Sequence, residues 1–205
     1  MKLAPFTQQE QAGRTRADDL ARLLQQPTDR ERRPCPSCDK VCGCPALSTQ
    51  CCCGCSVRCP DAPRFLSSEP AQYPIEPQVL PLVYALASLR LVPPCWSCEG
   101  HARPSGGLVR MPQVWFYSAS TVYPELIALY LKDLEFHGKL RHQWMISVCP
   151  HTAGGATIFQ LQPEQLRQAD VQAEDLLSLH DDFRTIADSL TESIRQLALR
   201  LLKPI

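Results

Sequence analysis

The sequence predicts a mixed domain, α/β or α+β, with a small sheet, flanking helices, a long C-terminal helix and an N-terminal cysteine-rich metal-binding segment. Three observations carry this. After residue 75 the apolar residues switch between helical and strand-like periods. The C-terminal stretch keeps a helical period for about 30 residues. And nine cysteines fall within the 25 residues from Cys35 to Cys59, where large apolar side chains are almost absent.

At the N-terminus, Thr7 followed by Glu10 has the spacing of a capping box. The helix it opens would bury Leu20, Leu23 and Leu24 and stop before Pro27. Residues 1–33 form this first unit and 34–60 the cysteine-rich segment. Six prolines between Pro60 and Pro81 make 61–77 an extended connector. Residues 78–162 form the mixed domain and 163–205 the C-terminal helical part.

Within the domain, VLPLVYALASLRLV places Val79, Leu82, Val83, Leu86 and Leu89 on one helical face, ended by VPP. LVRM and VWFYS read as strands. PELIALYLKDLEFHG reads as a helix with Pro124 in its first turn, Gly138 closing it, and Leu126, Ile127, Tyr130, Leu131 and Leu134 inward. WMISV and ATIFQL are two more strands. In AEDLLSLHDDFRTIADSLTESIRQLALRLL, Leu176, Phe183, Leu190 and Leu197 recur every seven residues, backed by Ile186, Ile194 and Leu201. That helix is about 45 Å long, packing on its own domain or pairing with a second copy.

The chain has 205 residues, 21 basic and 21 acidic, so no overall attraction to nucleic acid or an anionic membrane is expected. Arg30, Arg32, Arg33, Lys40, Arg58 and Arg64 surround the cysteine segment. They either offset thiolate charge or meet a protein partner. MKLAPFTQQEQAGRTRADDL lacks the apolar core of a secretory signal, and no run approaches the ~18–20 apolar residues of a membrane span. A cytoplasmic protein is the expectation, and there clustered cysteines bind metal or do redox work.

Val41, Leu47 and Val57 are too few to order residues 34–60 by burial. Metal ligation by Cys35, Cys38, Cys42, Cys44, Cys51, Cys52, Cys53, Cys55 and Cys59 supplies an alternative. Side chains alternate along extended chain, so the triplet Cys51–Cys53 does not readily serve one tetrahedral ion. Nine thiolates satisfy three four-coordinate zinc ions if six bind terminally and three bridge. Two four-cysteine zinc sites with a spare thiol, an iron–sulfur cluster using Cys35, Cys38 and Cys42, or a metallothionein-like store are the other readings. CGCSVRC resembles the end of the nine-cysteine, three-zinc cluster that precedes the catalytic domain in many histone methyltransferases. Nothing downstream resembles that catalytic domain, so only the coordination precedent carries over.

A second constellation lies in PPCWSCEGH, where Cys95, Cys98 and His101 follow a helix at C-x2-C-x2-H spacing. With Cys149 or His151 from SVCPH they would complete a tetrahedral zinc site, and with water in the fourth position a catalytic one. If the site does chemistry, Glu99 and His101 are the acid–base pair and Cys98 a ligand or nucleophile. The opposing reading makes the cysteines small buried residues and His101 merely hydrogen-bonded. His137 and His142 flank a turn, His180 sits on an apolar helix face, and GGLVR and TAGGAT are turns without a phosphate-binding pattern.

WSCEGH resembles a short signature of uncharacterised bacterial and phage proteins, in which a helix leads into S-C-E-G-H and then a strand. More distantly, Ser97, Cys98 and Gly100 are similar to a motif of the wybutosine-pathway tRNA methyltransferases, from which His101 departs. The resemblance implies that Cys98 to His101 form a site. Two functions follow as expectations. One is a zinc-binding protein whose cysteine cluster has a structural or partner-recognition role. The other is an enzyme centred on Cys98, Glu99 and His101.

Overall fold

The computed structural model describes residues 6–26, 75–104, 106–153, 156–164 and 173–202. The nine cysteines from Cys35 to Cys59 and most of the proline-rich connector lie outside the described residues. In chain order the elements are α1 (Phe6–Gln25), α2 (Leu80–Ser88), β1 (Pro94–Cys98), β2 (His101–Ala102), β3 (Leu108–Arg110), β4 (Gln113–Ser118), α3 (Val122–Phe136), β5 (Trp144–Ala153), β6 (Ala156–Pro163) and α4 (Ala173–Leu202).

Four strands form one sheet in the order β1-β4-β6-β5, every neighbouring pair antiparallel, and β2 pairs with β3 in a separate ribbon. The class is therefore α+β. Because β6 lies antiparallel between β4 and β5, those two run parallel, and α3 is the crossover joining them. This is a split β-α-β unit with β1 added at one edge.

Alternation along the strands sends Val114 and Phe116 of β4 and Phe159 and Leu161 of β6 into the core, where Phe116 and Phe159 stack at 5.9 Å. Trp144 opens β5 and packs its ring 5.1 Å from that of Phe183 on α4. On α3, Leu126, Ile127, Tyr130, Leu131 and Leu134 are all buried, and the helix closes into Gly138 at φ +64°. Val79, Leu82, Val83, Leu86 and Leu89 are buried as the period predicts. Helix α2 nevertheless ends at Ser88, well before VPP, because Arg90 turns the chain with a left-handed φ of 61°. The residues then released form β1, an edge strand that the sequence reading did not assign.

Helix α4 packs against α1, α2 and α3. Its buried stripe is Leu179, Phe183, Ile186, Leu190, Ile194 and Ala198. This follows 3.6 residues per turn, whereas a strict heptad drifts around a straight helix. Leu176 and Leu197 are accordingly only partly buried, and Leu201 is exposed. Thr7, which the spacing placed at the cap, lies within helix α1. At the other end Arg195 donates to the carbonyls of Leu23, Leu24 and Gln26 at 3.2, 2.9 and 3.1 Å. That guanidinium satisfies acceptors which the end of α1 leaves open. Among the described residues no helix is long and apolar enough to cross a membrane.

Tyr130, 1% exposed, donates its hydroxyl to the Ile186 carbonyl at 2.8 Å and lies 2.8 Å from the Ser189 hydroxyl. Burial is the main reason its phenol is pushed up to about 12. An unfolded tyrosine ionises near pH ~10. The stability tied to keeping this phenol neutral is thus intact below pH ~10 and lost as pH rises through about 12. Denaturant midpoints across that window should fall, and Tyr130→Phe should flatten the fall.

Candidate metal centre

Two segments distant in sequence are stitched together by reciprocal bonds. Glu76 precedes α2, and Cys98–Gly100 close β1. The Glu99 N–H donates to Glu76 Oε2 at 2.6 Å, while the Gln78 N–H donates to Glu99 Oε2 at 2.8 Å. A third tie comes from α4, where His180 Nε2 donates to the Glu99 carbonyl at 2.7 Å. His180 is buried, as its place on the apolar face of the helix predicts.

Gly100 makes the turn possible. Its φ is +91°, and a Cβ there would lie 2.7 Å from Leu176 Cδ1 and 2.8 and 2.9 Å from Pro112 Cγ and Cδ. The leucine methyl can swing away, but the proline ring has little freedom. Gly100→Ala therefore combines left-handed strain with overpacking and should cost about 2–4 kcal/mol. Chemical denaturation of the variant checks this; an unchanged midpoint would show that the turn relaxes without loss.

The turn places Cys98 and His101 against Glu76. His101 Nε2 lies 2.8 Å from Glu76 Oε1, and one ligand atom from each of Glu76, Cys98 and His101 falls within 4.8 Å of the others. The thiol is at the closed end, with Cys98 2% exposed, whereas the His101 and Glu76 side chains are 49% and 29% exposed. Sulfur, imidazole nitrogen and carboxylate oxygen are all zinc donors. Burial pushes the Cys98 thiol up, opposed by the Gly100 N–H, which donates to Sγ at 3.4 Å; the Glu76 carboxylate adds to the rise and the Arg110 guanidinium counters it. Without a cation the thiol is protonated near neutral pH. A dication between these three groups would favour the thiolate instead.

The remaining candidates are placed elsewhere. The carboxylate of Glu99 is tied to the Gln78 N–H, and Glu76 holds the position beside His101 that the sequence reading gave to Glu99. Cys95 is exposed on β1, while Cys149 is buried on β5 with its Sγ 3.6 Å from Gln160 Oε1. β1 and β5 are the two edges of the sheet, and burial, then the nearby Cys149, push the Cys95 thiol up to about 11. Neither cysteine belongs to the Glu76–Cys98–His101 cluster. The side chain of His151 lies outside the described residues. His137 is exposed, and His142 Nε2 lies 2.6 Å from the Ser178 hydroxyl.

Sequence reading missed Glu76 and Arg110. Glu76 sits in a proline-rich stretch 22 residues before Cys98, with no motif to mark it. Arg110 reaches the site only because β3 pairs with β2, opposite His101. Comparison of the chain with protein families, curated proteins and solved structures finds no match.

Proposed function

We propose that this is a zinc-binding protein in which Glu76, Cys98 and His101 hold one ion and leave its fourth position to water or an external ligand. The convergence of three different donor atoms within 4.8 Å carries the reading. One thiolate, one imidazole and one carboxylate is a donor set for zinc; an iron–sulfur cluster would need more cysteines than this position offers. Zinc with three protein ligands polarises whatever occupies its remaining position, so the centre suits metal-assisted chemistry on a bound group. The exposure of His101 and Glu76 leaves the cluster open to solvent on one side, which suits an external ligand.

In this reading Glu99 is not the proton carrier. It positions Glu76 and Gln78, and the protein groups beside the ion are His101 and Arg110. The nine cysteines from Cys35 to Cys59 form a separate zinc-binding part, ordered by metal, with a structural or partner-recognition role. Their composition supports this, because too little apolar surface lies there to offset ~1–2 kcal/mol per residue of backbone ordering. A cytoplasmic location fits clustered thiols kept reduced.

Zinc analysis of the full chain, purified without added metal, tests the assignment. His101→Ala should carry one zinc fewer per chain than the parent protein while staying folded by circular dichroism. An unchanged zinc content would remove His101 from the ligand set and with it the three-ligand centre.

A further inference from the structure

We propose that the external ligand of this centre is an oxyanion, held on its outer side by Arg110. The inference rests on the reading of Glu76, Cys98 and His101 as zinc ligands. It comes from the charge around them. Zinc, one thiolate and one carboxylate sum to neutrality, and His101 adds nothing when it ligates as neutral imidazole. Arg110 then adds a positive charge beside this neutral set.

Three observations fix Arg110 there. It is the Cα partner of His101 across the β2–β3 ribbon. Its guanidinium carbon stands 5.4 Å from the ring centroid of Trp96, which is itself packed on Trp115 at 4.9 Å. And among the described residues no carboxylate forms an ion pair with it. A cation–π contact orients a guanidinium without neutralising it. An exposed, oriented, unneutralised arginine beside a neutral metal set favours an anion with oxygen donors. One oxygen can bind the ion while another accepts from the N–H fork. Carboxylates and phosphate monoesters share that chemistry, and the Trp96 ring would border either.

The test uses the full chain loaded with cadmium and followed by cadmium NMR. The resonance of this centre is the one lost in Cys98→Ser, and its single sulfur ligand separates it from any all-thiolate site. Acetate, inorganic phosphate and, as a neutral donor, imidazole are titrated in turn. The expected result is a saturable shift with at least one of the two anions, weakened about tenfold in Arg110→Gln, and an imidazole response that the substitution leaves unchanged. Dependence on Arg110 for acetate alone assigns a carboxylate ligand, and for phosphate alone a phosphate ligand. Anion affinities indifferent to Arg110→Gln, or imidazole binding with no anion response, would overturn the inference and leave the metal centre standing. A parent protein with no Cys98-dependent resonance would overturn both.

Discussion

Replacing Asp182 with alanine is expected to be among the most destabilising single changes in the domain, at about 3–5 kcal/mol. Asp182 is 1% exposed on α4. Its Oδ1 accepts the Arg141 N–H at 2.9 Å, and its Oδ2 accepts the His142 N–H and Trp144 Nε1 at 3.0 Å each. One carboxylate thus pins the loop between α3 and β5 to the long helix and orients the largest ring of the core. Alanine would leave two backbone donors and an indole donor without an acceptor where water has little access. Each orphaned donor costs about 1–3 kcal/mol, against ~5–15 kcal/mol of total stability for a typical domain. Denaturant titration of Asp182→Ala should show the loss directly. Combined with Trp144→Phe, it should also be less than additive, because the phenyl ring has no N–H to strand. A loss below about 1 kcal/mol would mean that water replaces the carboxylate at this position.

Cys98→Ala should have the largest effect on metal binding. Changing a group that merely orients a ligand typically costs 10- to 100-fold in affinity. Removing the only sulfur from a three-ligand set should exceed that, since the two remaining donors are partly exposed and already paired with each other at 2.8 Å. The thiol is also the ligand whose proton must leave on binding, because burial holds it up in the metal-free state. Zinc uptake at this centre should therefore release a proton and strengthen as pH rises toward the thiol's range. In competition with a chromophoric chelator, Cys98→Ala should lose both the site and that pH dependence. A variant that keeps both would place the ion elsewhere. The fold itself should tolerate the change, since a buried Cys→Ala is a small truncation costing about 1–2 kcal/mol.

The helices were legible because their signals are local. In α3 the apolar spacing, Pro124 and Gly138 all mark one element, and every residue expected inward is buried. For α4 the position was clear and the buried face only partly so. Phe183, Ile186, Leu190 and Ile194 are buried as expected, whereas packing on three helices buries Leu179 and Ala198 more fully than Leu176 and Leu197. Strand β1 was hidden because PCWSC has a proline, two cysteines and no β-branched residue. Its extended shape is settled by pairing with β4, some 15 to 22 residues away.

The candidate site shows the same division. Cys98, Gly100 and His101 stood out in the sequence because their types and spacing are chemical. Glu99 stood out for adjacency alone, and the turn directs its carboxylate to the Gln78 N–H. Glu76 was invisible, since its place depends on reciprocal bonds between two segments that only the fold brings together. Cys149 resembled a partner for Cys98, but it lies outside the group that Cys98 forms with Glu76 and His101.

Glu76 is therefore the residue on which the account can be tested most directly. The measurement is zinc content per chain of the full-length protein, compared among the parent, Glu76→Ala and Glu99→Gln. The three-ligand centre predicts one zinc fewer in Glu76→Ala and no change in Glu99→Gln, with both variants folded. Equal zinc in all three, or a loss in Glu99→Gln alone, would contradict it.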